Sequence, residues 1–154
     1  MKRTLIAAAA LAALVPAAAA AQIERVEKGA LVLENVPETP AAMRDRLRQY
    51  QNVRGASFQG FPADGDGVLV STRFGQTAQV HHVATPLGAR RQLTFFDEPV
   101  SGVAASPSDG AMFAFARDRG GDENFQAFVF DREAGRSTRI SDGAGRKGAV
   151  TWSR

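Results

Sequence analysis

Apolar and polar positions fall into three textures along the chain. From Leu5 to Ala21 there is no charged residue, only an Ala- and Leu-rich run broken by Pro16. From Ile23 to Val36 the single apolar stretch is Ala30-Leu31-Val32-Leu33, bounded by Gly29 and Asn35, which reads as a strand or an extended arm. Pro37 and Pro40 close it. Met43, Leu47 and Tyr50 then recur at i, i+4 and i+7, so a short amphipathic helix is expected over 40–51, with Thr39 as N-cap and Pro40 at the first helical position. Its other face carries Arg44, Asp45, Arg46 and Arg48 and reads as a solvated face rather than a basic binding stripe.

From Ala56 onward helical periodicity gives way to short β-rich runs separated by Gly and Asp turns. Strands are predicted at Val68–Thr72, Ala78–Val83, Met112–Ala116 and Asn124–Phe130. These runs repeat. Pro62-Ala63-Asp64-Gly65 returns 45 residues later as Pro107-Ser108-Asp109-Gly110. Each copy continues into an apolar strand ending in arginine, Val68 to Arg73 or Met112 to Arg117, then a Gly turn and a second strand. Each finishes on a short strand, Arg91-Gln92-Leu93-Thr94 or Thr138-Arg139-Ile140-Ser141, 47 residues apart. Three to four strands in about 45 residues is the period of a β-propeller blade. Val150-Thr151-Trp152-Ser153 aligns with the start of the second copy and reads as the first strand of a third.

The expected fold class is therefore all-β, a partial β-propeller. Its organisation is a signal peptide at 1–21, an N-terminal arm and helix at 22–55, blades at 56–101 and 102–148, and the start of a further blade at 149–154. Propellers close with about 4–8 blades, each burying its faces against its neighbours, so residues 22–154 are expected to be the N-terminal part of a longer polypeptide.

Composition sharpens this. There are 19 Lys and Arg against 16 Asp and Glu, a formal charge of +3. Lys2 and Arg3 precede the uncharged run, which ends in the Ala19-x-Ala21 pattern of a secretory cleavage site, so the chain is expected to be exported to the periplasm or beyond. Without residues 1–21 all 16 acids stay and two bases go, leaving +1. Nothing in that balance marks a nucleic-acid partner, and no membrane span is expected after cleavage. Cysteine is absent, so stability must come from packing, and the ten phenylalanines suit blade cores.

Three long stretches, Gln49 to Phe58, Ser71 to His81 and Arg91 to Val100, resemble the start of secreted bacterial serine peptidases of the prolyl oligopeptidase family. The Pro-x-Asp-Gly turn, the Leu-Thr at the end of a copy and the Trp-Ser at the next start are TolB-like. The resemblance implies a propeller that caps a C-terminal α/β-hydrolase domain and gates the peptide substrates that reach a catalytic serine. This chain contains no G-x-S-x-G elbow. Gly55-Ala56-Ser57-Phe58-Gln59 fails at its last position, so no catalytic residue is assigned and the chain alone is expected to be inactive. The alternative is a TolB-like periplasmic propeller acting as a non-catalytic binding module.

Neither cofactor nor metal is expected. His81 and His82, adjacent on a strand, point to opposite faces, one expected to be packed between blades and one at the surface. Asp64-Gly65-Asp66-Gly67 opens like a calcium loop, but Val68, Leu69 and Gly75 stand where a ligand, the turn glycine and the closing glutamate belong, so it reads as a turn. Asp118-Arg119-Gly120-Gly121-Asp122-Glu123-Asn124 is the most polar loop. Some members of the broader family hold a substrate's amino terminus with propeller glutamates, but Glu123 is read as part of a hairpin tip. Arg90-Arg91 and Arg146-Lys147 read as blade-edge charges, and Gly143 to Gly148 lacks phosphate-loop spacing.

Overall fold

A computed structural model describes residues 23–153; the expected signal peptide at 1–21 lies outside the described residues. Among them are ten strands and one helix, arranged as three antiparallel sheets, none of them closed. The described residues are all-β apart from that helix.

A two-stranded hairpin comes first, β1 (Arg25–Lys28) with β2 (Leu31–Glu34). The sequence pattern identifies β2 but not β1, whose Arg-Val-Glu-Lys is too polar to read as a strand. Cross-strand pairing supplies what propensity lacks: Arg25 reaches Glu34, its partner on β2, at 2.7 Å. Helix α1 (Ala41–Gln51) follows. Its N-cap is Pro40 and not Thr39, and no side chain caps it; the Pro40 carbonyl accepts from the Met43 and Arg44 amides, both at 3.0 Å. Met43, Leu47 and Tyr50 are all exposed, so the apolar stripe has no partner among the described residues. On the polar side Arg44 pairs with Glu38 and Arg48 with Asp45.

Two four-stranded sheets make up the body. The first runs β3 (Ala56–Gly60), β4 (Val68–Thr72), β5 (Gln79–Val83) and β6 (Arg91–Gln92); the second runs β7 (Ser101–Ala105), β8 (Met112–Arg117), β9 (Gln126–Asp131) and β10 (Arg136–Arg139), each in sequence order. The repeat extends beyond the strands to individual hydrogen bonds. Val80 N–H donates to Thr94 Oγ1 at 2.9 Å and Ala127 N–H to Ser141 Oγ at 3.1 Å. The Gln79 amide donates to the Glu98 carbonyl and the Gln126 amide to the Gly145 carbonyl. Leu93 bonds Val80 as Ile140 bonds Ala127, and Val100 bonds Ala78 as Lys147 bonds Phe125. Every one of these pairs is 47 residues apart.

Upstream the spacing is 45. Asp64 Oδ1 accepts from Asp66 N–H as Asp109 Oδ1 accepts from Ala111 N–H. The two extra residues lie in the β8–β9 loop, which is longer than the β4–β5 loop. Register corrects one sequence-level correspondence. Thr72 pairs with Gln79 and Arg117 with Gln126, so Thr72 occupies the place of Arg117, and Arg73 does not.

Strand pairing also sorts side chains by face. Leu69, Val80 and His82 lie on the inner face of the first sheet. Phe113, Phe115, Phe128 and Phe130 share the inner face of the second. Between these two faces sits the core, completed by Leu93, Phe96, Val100, Val103 and Ala105. Phe115 stacks on Phe128 (5.3 Å) and Phe96 (5.8 Å), and Phe113 on Phe130 (5.0 Å). The aromatic filling foreseen from composition is concentrated in this one seam. Phe58 and Phe61, by contrast, are exposed.

Truncating Phe115 should therefore lower unfolding free energy by about 3–5 kcal/mol, whereas Phe58→Ala should change it by no more than about 0.5 kcal/mol. Urea titration of both variants checks this; similar losses for the two would mean that the seam is not the core.

Candidate functional site

Polar chemistry between the two sheets gathers around Arg132, just after β9, whose side chain is almost fully buried. Its Nη1 donates to the Gly110 carbonyl at 2.8 Å and its Nη2 to Asp66 Oδ2 at 2.9 Å, tying one Pro-x-Asp-Gly turn to the other. Gly110 fits because a Cβ there would collide with the Asp64 carboxylate. His82 joins from β5. Its Nε2–H donates to the Asp66 carbonyl at 2.6 Å, which leaves Arg132 Nη2, 3.3 Å from the same nitrogen, a neighbour and not a partner.

His81 faces the opposite way. Both imidazoles are buried, so the expectation of one at the surface is corrected. Phe74 covers His81 edge-on at 5.1 Å, which the sequence pattern does not reveal because Phe74 lies in the turn after β4. His81 Nδ1–H donates to the Gln79 carbonyl at 3.0 Å and Nε2 has no partner. Burial holds the ring below its ordinary value of 6.5; the Gln79 carbonyl opposes that shift and the Arg90 charge adds to it. Neither histidine bonds a hydroxyl, and among the described residues no three His, Cys, Asp or Glu side chains converge as a metal would require.

The Asp64–Gly67 segment is a turn. Asp64 Oδ1 caps Asp66, and Gly65 and Gly67 adopt φ of 72° and 68°. A side chain at Gly67 would strike the Val83 carbonyl.

A second polar centre lies across the other end of the seam. Arg117 reaches from the second sheet to Glu98 of the linker at 3.1 Å, its guanidinium 4.4 Å from the Phe96 ring centre and 4.9 Å from that of Phe128. Glu98 Oε1 also accepts from the Gly120 amide at 2.9 Å. That bond, helped by Arg117 and opposed by burial, holds the Glu98 carboxyl below its ordinary range.

The β8–β9 loop folds over this pair. Asp118 Oδ2 accepts from Glu123 N–H, and Asp122 Oδ1 from the Arg119 and Asn124 amides. Asp118 is buried with its Oδ1 unpartnered. Asp97, Glu98, Asp118 and Glu123 line an open groove beside Gly120 and Phe125. Such a groove can receive a cationic group. Sequence spacing could not bring Asp97 and Glu98 to this loop, since they lie twenty residues upstream of it.

Three of the four residues read as edge charges are engaged. Arg90 donates to the Arg54 carbonyl and Thr72 Oγ1, Arg146 lies 5.2 Å from the Phe125 ring centre, and Lys147 pairs with Asp142 at 2.7 Å. No helix among the described residues is long and apolar enough to cross a membrane. Neither a family model, nor a curated protein, nor a solved structure matches the chain.

Two outcomes follow from this geometry. Arg132→Leu should cost about 1–2 kcal/mol, the worth of a charge-assisted bond to a half-exposed acid, and lower the melting temperature by several degrees; an unchanged melt would mean the turns are not held by Arg132. Below pH 6.5 the unfolded His81 takes a proton that the folded ring resists, so the stability it contributes is complete above 6.5 and is lost as pH falls through the depressed folded value. Melts of wild type and His81→Phe should therefore converge toward neutral pH and separate on acidification, wild type losing more; parallel curves would exclude His81 as the source.

Proposed function

We propose that the two four-stranded sheets are consecutive blades of a TolB-like β-propeller from an exported serine peptidase of the prolyl oligopeptidase family, in which the propeller gates peptide access to a separate α/β-hydrolase domain. The observation that carries the reading is the recurrence of the same hydrogen bonds at a spacing of 47 residues, from strand to linker. It makes each sheet and its linker one structural unit. The first strands of successive units also approach one another: β3 packs on β7, with Gly60 against Ala105, and the Trp152 indole donates to the Ala104 carbonyl at 3.0 Å. Blades arranged around an axis bring their innermost strands together in this way. Lys2, Arg3 and the uncharged run ending at Ala21 support export.

The acidic groove beside Asp118 favours a second reading, a periplasmic propeller that binds a cationic ligand or partner without catalysis. Antibody against this chain, used to capture the native protein from its source, separates the two. Treatment with a fluorophosphonate should label a serine in the captured polypeptide if the peptidase reading holds, whereas an unlabelled polypeptide fits the binding module. The 154-residue chain by itself should take no label and hydrolyse no peptide, and labelling of it would contradict the placement of the catalytic serine outside these residues.

A further inference from the structure

Asp118 borders a second cleft besides the acidic groove, on the side of the second sheet that faces the first. Its volume is about 530 Å³, within the range of about 300–1,000 Å³ usual for small-molecule sites. Arg117, Phe128 and Arg139 reach it from the sheet, Phe128 being paired with Arg139. The β8–β9 loop adds Arg119 and Asp122 to Asp118. Every wall comes from residues 117–143, so the cleft is formed by the second sheet, its long loop and the start of the segment after β10.

Hydrogen-bonding capacity in this cleft is one-sided. Asp122 Oδ1 accepts from the Arg119 and Asn124 amides, and Asp118 gives Oδ2 to the Glu123 amide while its Oδ1 is sealed from solvent. Arg117 is committed to Glu98. Arg119 and Arg139 form no ion pair among the described residues, which leaves the donor forks of two guanidinium groups unused. Arg139 is nevertheless held in place. Its guanidinium lies against the Gly143 backbone, where a Cβ would come within 3.1 Å of Nη1, and Gly143 has a φ of 88°. The repeat does not call for these arginines. Counting back 47 residues, Gln92 stands at the place of Arg139 and turns its amide onto the Thr94 carbonyl, while Phe96 stands at the place of Gly143.

We propose that this cleft binds a singly charged carboxylate, received by the guanidinium groups of Arg119 and Arg139. A planar carboxylate matches the donor fork of a guanidinium. Asp118 and Asp122 beside it oppose a doubly charged group such as phosphate, and the three arginines oppose a cation. A small carboxylic acid and the C-terminus of a peptide present the same group. The site serves either reading of the function, as a hold on one end of a gated peptide or as the ligand site of a binding module.

The test is nitrogen-15 NMR of the arginine side chains in the full chain, titrated with acetyl-dialanine, its C-terminal amide, propionate and inorganic phosphate. The Nε–H signals of Arg119 and Arg139 should move together and saturate with acetyl-dialanine and stay in place with the amide. Arg119→Gln and Arg139→Gln should each weaken binding by about tenfold or more without lowering the melting temperature. Arg136→Gln, an exposed neighbour on β10 outside the cleft, should bind like wild type. Propionate bound as tightly as acetyl-dialanine assigns the site to small acids, and a preference for acetyl-dialanine assigns it to peptide ends. A folded wild-type chain that shows no saturable shift overturns the inference. Equal binding of the amide overturns it too, as does phosphate bound more tightly than either carboxylate, or a loss in Arg136→Gln matching the other two, which marks diffuse surface attraction. If the 154-residue chain alone does not melt cooperatively, calorimetry on the polypeptide captured from its source makes the same comparison. Failure of carboxylate binding leaves the fluorophosphonate result untouched, so this site and the peptidase reading stand or fall separately.

Discussion

Burial of one face of each four-stranded sheet against the other is the constraint on which the molecule depends. Strands of two to six residues give a sheet too little surface to stand alone in water, and three or more such strands need something apolar on one face. Here that is a single aromatic seam, with four phenylalanines from the second sheet set against Leu69, Val80 and Leu93 of the first. The ion pairs that cross the seam lie at its ends. Arg132 and His82 close one end over the paired turns, and Arg117 with Glu98 closes the other. Arg117 does two jobs there, its guanidinium lying over the Phe96 and Phe128 rings while it reaches Glu98 of the linker.

The acidic groove is a by-product of the same closure. Glu98 is fixed by the Gly120 amide and Arg117, so the β8–β9 loop must lie over the seam's end, and its own carboxylates arrive with it. Two additional residues in this loop relative to β4–β5 make room for that arrangement. The shorter β4–β5 loop instead folds Phe74 back over His81. One insertion thus separates a polar end on the second sheet from an apolar outer face on the first.

Much of this architecture is legible in the chain. The Pro-x-Asp-Gly turns and alternating runs locate β4, β5, β8 and β9, because half-buried strands impose a period of two on their side chains. Local pattern fails where the deciding contact is distant. β1 is a strand because β2 pairs with its charged residues, not because its residues favour extension. His82 is buried because Arg132, fifty residues away, covers it. Equivalence of Arg73 with Arg117 looks natural in sequence, yet the upstream spacing of 45 residues and the strand register both place Thr72 there. The helix is legible, but its exposed stripe is not: periodicity announces an apolar face without naming what it meets. In the groove, Asp97–Pro99 and the Asp118–Phe125 portion are each local in sequence, but their meeting is not.

The β1–β2 hairpin carries a consequence for how the protein is made. Its turn is anchored by the Ala30 amide donating to the Gly120 carbonyl at 2.9 Å, in a spot where Gly29 leaves no room for a side chain. The anchor is about ninety residues downstream. During synthesis at about 5–20 residues per second, the hairpin exists for several seconds before its seat has been translated. The first of the described elements is thus among the last to be secured, and of its ion pairs the one from Arg25 to Glu34 joins the two strands in the interval. Order of synthesis and order of assembly run in opposite directions at this end of the molecule.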